Sequence, residues 1–342
     1  MRRATRFLVG FIQAEGSVLD PLLSLIDVKK HFPLGGGLFK PGAIVLAVDG
    51  VSLDVYEGDI VGLVGESGCG KTTLGRTILR LTEPTSGKII FEGRDIAFLK
   101  KAEMKELRKE MQAVFQNPYA SLNPRKTIGQ IISQPLLNFR ETSRDEIRSD
   151  VLRLLDMVGL TPPETFIDRN PHELSGGQRQ RVGIARGIAL TPRLIVADEP
   201  VSALDMSVRA QILNLIKEIK KELGLTLIFI THDLSVVRSL CNRVVVMYLG
   251  RLVEIGPVRE IFENPLHPYT KALLSSTPIP KPSRARSRQF ELLTGDVPSP
   301  INPPSGCRFH TRCWMCKETC MVGEPEMQSL PQDHRVRCHL QG

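Results

Sequence analysis

The chain has 342 residues, 42% of them apolar and 24% charged, with 45 Lys and Arg against 37 Asp and Glu. Such a composition excludes a wholly disordered or collagen-like polymer, and no apolar run approaches the roughly 20 residues of a membrane-spanning helix. The net charge of +8 permits contact with nucleic acid or an anionic surface without requiring either. At roughly 150 residues per domain, two domains are expected, or one large domain with an appendage.

Residues 1–24 read as a leader of no assigned role. Phe7–Ile12 is apolar and follows Arg2 and Arg3, but the run is shorter than a signal peptide needs, and no small-residue cleavage site follows before Glu15. Ile44–Val48 and the alternating Val51–Val55 read as strands, with Asp49-Gly50 as a turn between them. Asp59–Val64 is nearly all apolar, as expected of a strand buried on both faces. A glycine-rich loop and a helix over Thr72–Leu81 follow, then a strand at Lys88–Phe91. Residues 100–172 read as a mostly helical insertion, with Ile147, Val151, Leu154, Leu155 and Val158 on one face. Strands at Leu194–Ala197 and Leu225–Ile230 flank a helix over Ser207–Glu222. This alternation predicts an α/β fold whose parallel sheet is wrapped by helices. Beyond about residue 257 prolines crowd the chain, and the end reads as a separate, loop-rich module. Its basic run Lys281–Arg288 carries no interleaved aromatics, so a solvated linker is expected rather than a nucleic-acid surface.

The chemistry begins at Gly65, Glu66, Ser67, Gly68, Cys69, Gly70, Lys71, Thr72 and Thr73, a match to G-x-x-x-x-G-K-[ST] between a strand and a helix. Glycines let successive N–H groups bend inward as an anion nest, and the helix start adds its positive end. Lys71 suits β- and γ-phosphates, and the Thr72 hydroxyl suits Mg²⁺. Cys69 reads as a space-filler, with an acidified, reactive thiol as the alternative. Downstream, an apolar strand ends in Asp198 and Glu199. Asp198 suits Mg²⁺, and Glu199 suits the base that activates the attacking water.

Leu174, Ser175, Gly176, Gly177 and Gln178 begin 24 residues before Asp198 and lead into a helix over Arg179–Leu190. Here the sequence closely resembles an ABC-transporter ATPase, whose signature loop is those five residues. The resemblance implies a P-loop core with an antiparallel β subdomain and a helical subdomain. It also implies a head-to-tail dimer, in which Ser175, Gly176, Gly177, Gln178 and Asp205 act in trans on the partner's ATP. Gln116 resembles the glutamine loop that touches Mg²⁺ and water, and His232 the switch histidine on the γ-phosphate. Phe32 falls where the family stacks adenine, with Phe39 and Tyr56 as the other upstream aromatics.

Phe115–Pro124 and Asn264–Thr270 narrow the resemblance to the dipeptide/oligopeptide importer branch. The division implied is a leader over 1–24, an ABC ATPase domain over 25–265 with a helical subdomain at about 117–175, and a C-terminal extension over 266–342. The branch implies two membrane permeases, a second related ATPase, an external solute-binding protein and a place on the cytoplasmic face of the membrane. Relatives importing nickel, glutathione or oligosaccharides, and a soluble ABC ATPase acting on nucleic acid, are the alternatives.

Cys307, Cys313, Cys316, Cys320 and Cys338 lie within the last 36 residues. Four thiols suffice for tetrahedral zinc or a cubane iron–sulfur cluster. The branch resemblance favours a [4Fe–4S] cluster on Cys307, Cys313, Cys320 and Cys338, with Cys316 as the alternative ligand and zinc as the rival.

Overall fold

A computed structural model describes residues 20–35, 42–116, 121–141, 143–276 and 295–341. The leader up to residue 19, Phe39 and the basic run 281–288 lie outside these residues.

The first strands build a four-stranded antiparallel sheet. It contains β1 (Leu23–Leu34), β2 (Ala43–Val55), β4 (Ser86–Phe91) and β5 (Arg94–Asp95), in the order β2-β1-β4-β5. Asp49-Gly50 does not turn the chain, contrary to expectation. Lys29 pairs with Asp49 and Val28 with Val51, so Gly50, at φ +79°, is a bulge inside one long strand. The dipeptide is a hairpin signal locally. Here β1 pairs with the segments on both sides of it, and the Asp49 N–H donates to the Gly250 carbonyl at 2.9 Å.

The second sheet has eight strands in the order β11-β12-β10-β9-β3-β8-β7-β6. Five of them are parallel neighbours: β9 (Arg243–Tyr248), β3 (Ile60–Val64), β8 (Thr226–Ile230), β7 (Leu194–Asp198) and β6 (Met111–Val114). Residues of β3, β8 and β9 are buried throughout, as a strand covered on both faces demands. β6 falls inside the stretch expected to be helical. Its four residues include Gln112 and show no clear alternation, and only pairing with β7 defines it as a strand.

The expected helical region holds α-helices over Ile128–Phe139, Arg144–Met157 and Glu164–Ile167, followed by Gly176–Ile188. The first two begin with capping boxes, Thr127 with Gln130 and Ser143 with Glu146. Ile147, Val151, Leu154, Leu155 and Val158 are buried together as expected, in a core shared with Val114 and Phe229 of the sheet and Ile188 of the helix that follows. The other sheet face packs Val61, Leu63 and Ile230 against Leu25, Val48 and Phe91 of the antiparallel sheet.

The cysteine-bearing end does not stand apart. β12 (His334–Val336) pairs with β10 (Arg251–Pro257) and with β11 (Gln328–Leu330), extending the main sheet. Phe309 is 1% exposed, in edge contact with Tyr248 at 5.3 Å and tilted against Tyr269 at 5.4 Å. Among the described residues, no helix is long and apolar enough to cross a membrane.

Candidate active site

Four adjacent parallel strands bring the predicted residues together. The C-terminal ends of β3, β8, β7 and β6 lie side by side and lead into the glycine loop, His232, Asp198-Glu199 and Gln116 respectively. Carboxyl ends of parallel strands are where open α/β sheets place ligands.

The loop after β3 needs its glycines. Gly65 (φ +153°), Gly68 (φ +79°) and Gly70 (φ +107°) adopt the left-handed region, and a Cβ on Gly70 would run into the Ala47 carbonyl. The helix Lys71–Ile78 starts at the loop's end. Lys71 is buried, and its ammonium donates to the carbonyls of Gly65 (2.7 Å) and Glu66 (2.8 Å). Cys69 is 2% exposed within the core, and burial raises its thiol pKa ahead of the opposing pull of Lys71. Its place in the core fits the packing reading of Cys69.

Thr72 Oγ1 donates to Asp198 Oδ1 at 3.0 Å. Asp198 has its pKa raised, by burial first, against the hydrogen bond from Thr72, with Glu199 adding to the rise. A hydroxyl beside a half-buried carboxylate is a hard-oxygen pair that suits Mg²⁺. Glu199 carries a left-handed backbone (φ +46°), a conformation costing a side-chain-bearing residue about 1–2 kcal/mol. It is held there at both ends. Its N–H donates to the Ile230 carbonyl at 2.9 Å, and its carbonyl accepts from Ser202 Oγ at 3.1 Å. Its carboxylate then meets Gln116 Nε2 at 3.0 Å and His232 Nδ1 at 3.1 Å.

Glu199, Gln116 and His232 face a cavity of about 690 Å³ lined also by Phe32, Ser67, Gly68, Gly70, Lys71, Thr72 and Thr73, and Asp198 lies behind Thr72 without lining it. Val45, Ala47 and Pro300 complete it. Nothing local marks those three in the sequence, since only the folding of β2 and the tail over the loop brings them there. Glu66 departs from the expected picture. Its backbone belongs to the loop, but its carboxylate turns away to Arg312 of the tail.

The signature residues lie elsewhere. None of Ser175, Gly176, Gly177, Gln178 or Asp205 lines this cavity. Ser175 caps the helix Gly176–Ile188, its Oγ accepting from the Gln178 N–H at 3.3 Å while its own N–H donates to Gln178 Oε1 at 2.9 Å. Gly177 lets this helix lie close to Val208 of the helix Met206–Leu223, whose N-cap is the exposed Asp205.

Residues 48–202 match the family described as ABC transporter, and residues 253–320 match the oligopeptide/dipeptide transporter C-terminal region. The oligopeptide transport ATP-binding protein AppF of Bacillus subtilis is 51% identical over 323 residues, covering 94% of this chain and 98% of that one. The chain belongs to the ATP-binding subunits of the oligopeptide/dipeptide ABC transporter family. The dipeptide transport ATP-binding protein DppF of Haemophilus influenzae is also 51% identical, over 93% of the subunit and 96% of its own length. Among solved structures, the dimeric cassette MJ0796 bound to ADP and Pi is 32% identical over 69% of the subunit and 99% of that chain, with a TM-score of 0.62. CbiO1 from Clostridium perfringens is 30% identical over 72% of the subunit and 92% of that chain, with a TM-score of 0.61. The subunit is thus an ABC-type ATPase with the expected α/β P-loop fold.

All seven cysteines of this ATPase are free thiols. Burial pushes Cys307 up to about 12, with Cys320, Cys338 and Cys313 adding to the rise, and pushes Cys313 up to about 11, with Cys338, Cys316 and Cys320 adding. The Cys307 N–H donates to the Cys320 carbonyl at 2.8 Å. Among the described residues, no three His, Cys, Asp or Glu side chains converge closely enough to hold a single metal ion.

Proposed function

We propose that this subunit hydrolyses ATP to power import of oligopeptides or dipeptides across the cytoplasmic membrane, working as a peripheral protein on its inner face. The observation that carries the reading is the Glu199 carboxylate, held between Gln116 and His232 at the mouth of the glycine loop. The loop N–H groups of Gly65–Thr73 receive the phosphates. Lys71 exchanges its two carbonyl partners for β- and γ-oxygens. Phe32, 38% exposed at the far side of the cavity, offers its ring to the adenine. Thr72, Asp198 and Gln116 would hold Mg²⁺, which neutralises charge on the β- and γ-phosphates when bound. Glu199 takes a proton from the attacking water as its oxygen bonds to the γ-phosphorus and the bond to the ADP oxygen breaks. His232 steers that carboxylate and donates to the γ-phosphate.

The second half of the site comes from a partner. Ser175, Gly176, Gly177, Gln178 and Asp205 lie outside the cavity. Beside Asp205, Met206 is 86% exposed, an apolar side chain placed for a protein neighbour. A related ATPase subunit or a second copy meets this face, so that each nucleotide is clasped by one chain's loop and the other's signature. A cavity of about 560 Å³ beside Gln116, lined by Arg76, Leu81, Arg108, Phe115 and Arg186, is the seat for a short helix of a permease. Two permeases and an external solute-binding protein complete the importer. The division into a leader, an ATPase domain with its helical insertion, and a C-terminal extension follows the same reading.

The tail carries a [4Fe–4S] cluster on Cys307, Cys313, Cys320 and Cys338. The donor set supports this reading: the Cys307 thiol feels the charges of Cys320, Cys338 and Cys313, the other three members of the set. A cubane spreads its thiolates over four irons and needs no convergence on one point, in contrast to zinc. Anaerobic purification with metal analysis and an absorption spectrum separates iron with sulfide from zinc.

Glu199→Gln tests the hydrolytic reading. Turnover is expected to fall about 10²–10⁴-fold while an ATP-bound dimer accumulates on size exclusion. Turnover near wild type removes Glu199 from the role of base.

A further inference from the structure

The tail meets the nucleotide site in two places, the cavity wall and the phosphate loop. At the base end, the Leu46 N–H donates to the Pro300 carbonyl at 3.0 Å, and Pro300 joins Phe32, Val45 and Ala47 in the cavity wall. At the phosphate end the contact is ionic. Arg312 Nη1 donates to Glu66 Oε2 at 2.7 Å and Nη2 to Oε1 at 3.1 Å, a two-pronged pair. The Arg312 side chain is 5% exposed and that of Glu66 24%, so solvent screens the pair little. The fork is fixed from below, since the guanidinium lies 5.9 Å from the centre of the Tyr248 ring. The Glu66 backbone is fixed as well, its N–H donating to Tyr269 Oη at 2.8 Å. Tyr248 and Tyr269 belong to the aromatic cluster closed by Phe309, three residues before Arg312.

We infer that Arg312 is a positioning residue for ATP, acting through Glu66 to hold the phosphate loop in its receptive shape and to neutralise the carboxylate that the loop carries. The chain of contacts is short. Arg312 grips the Glu66 carboxylate, and the Glu66 carbonyl accepts from Lys71, the cation meant for the phosphates. Without the guanidinium, the phosphate loop carries an unpaired carboxylate while it binds a triphosphate, and like charges that close repel. The C-terminal tail is then a working wall of the ATP site. This inference rests on the proposed ATP site.

The test measures KM and kcat of the full chain for ATP, together with the Kd of a fluorescent ATP analogue. Arg312→Gln keeps bulk and removes charge. It is expected to raise KM and Kd about tenfold while kcat moves less than about twofold, because the lost contact acts on ground-state binding. Glu66→Gln added to Arg312→Gln is expected to bring Kd back to within about threefold of wild type, since two amides can pair without a stranded charge. A purely structural loss would not be rescued in this way. An unchanged Kd in Arg312→Gln, or a loss that the second substitution leaves in place, overturns the inference. If the Gln variant does not fold, Arg312→Lys keeps charge but lacks the fork. A Kd raised about threefold or more then supports the inference, and an unchanged Kd overturns it. Lys71→Ala run in parallel separates the two readings: analogue binding that survives it at full strength defeats the ATP-site assignment itself.

Discussion

The edge of parallel strands that carries the nucleotide chemistry and the tail packed behind it are held by different forces. β3, β8 and β9 are mostly apolar and sealed on both faces, so apolar burial dominates in fixing the strand ends from which the phosphate loop and His232 emerge. The tail has few such anchors, chiefly Phe309 and Val336. Much of its grip is polar: Arg312 on Glu66, Arg308 on Asp49 and the Leu249 carbonyl, Arg251 on Glu324, and His334 on Glu254 at 2.8 Å. Apolar burial is indifferent to acidity and to the exact partner, whereas buried polar contacts hold only while every member keeps its charge and geometry. The site is thus set on a rigid base and walled by a conditional one.

The strongest way to break this contrast is to cut the tail's apolar anchor. Phe309→Ala is expected to cost about 3–5 kcal/mol, read by denaturant melts of the whole chain. Because Phe309 shares its cluster with Tyr248 at the end of β9, the loss should appear in the main unfolding transition. Two transitions with the larger one unmoved would mean that the tail folds by itself.

A smaller effect sharpens the polar half. His267 is 1% exposed, and burial holds its pKa down to about 4 from 6.5, with Glu254 opposing the shift. The unfolded chain therefore binds a proton that the folded chain refuses between these values. Stability from this group is complete above about pH 6.5 and is lost as pH falls towards 4, by roughly 2 kcal/mol at about pH 5. His267 also caps the helix Pro268–Ser275, accepting from the Tyr269 N–H at 3.0 Å. His267→Asn keeps a capping side chain and cannot titrate, so its melts should lose less stability between pH 7 and pH 5 than wild type. Equal slopes would assign the acid sensitivity elsewhere.

The smallest expected effect is a control within the helical region. Ser143→Ala removes the cap whose Oγ accepts from the Glu146 N–H at 3.3 Å, and should cost about 1 kcal/mol with KM for ATP unchanged. A shift in KM would mean that the helical region and the nucleotide wall are coupled more tightly than their separate cores imply.

The glycine loop, Lys71, Thr72, Asp198 and Glu199 were legible because each follows a local rule: left-handed backbone needs glycine, and apolar strands end in polar work, whereas His232 and Ser175 stood out only through resemblance to a family. Asp49-Gly50 misled because its local rule was overruled by a strand pairing across both sides of it. β6 was hidden because its four residues have meaning only beside β7. Glu66 was assigned by its place in the motif, but its side chain answers to Arg312, 246 residues away.

From the amino-acid order alone came the phosphate loop, the acidic strand end, the signature turn and the presence of a thiol-rich end. These are short-range matters, decided by φ/ψ limits and hydrogen-bonding partners a few residues apart. Only the tertiary structure decided that Pro300 walls the nucleotide cavity, that Arg312 grips Glu66 of the phosphate loop, and that the tail extends the main sheet. Contacts between residues hundreds of positions apart depend on how apolar cores close, and no local pattern encodes which surfaces that closure brings face to face.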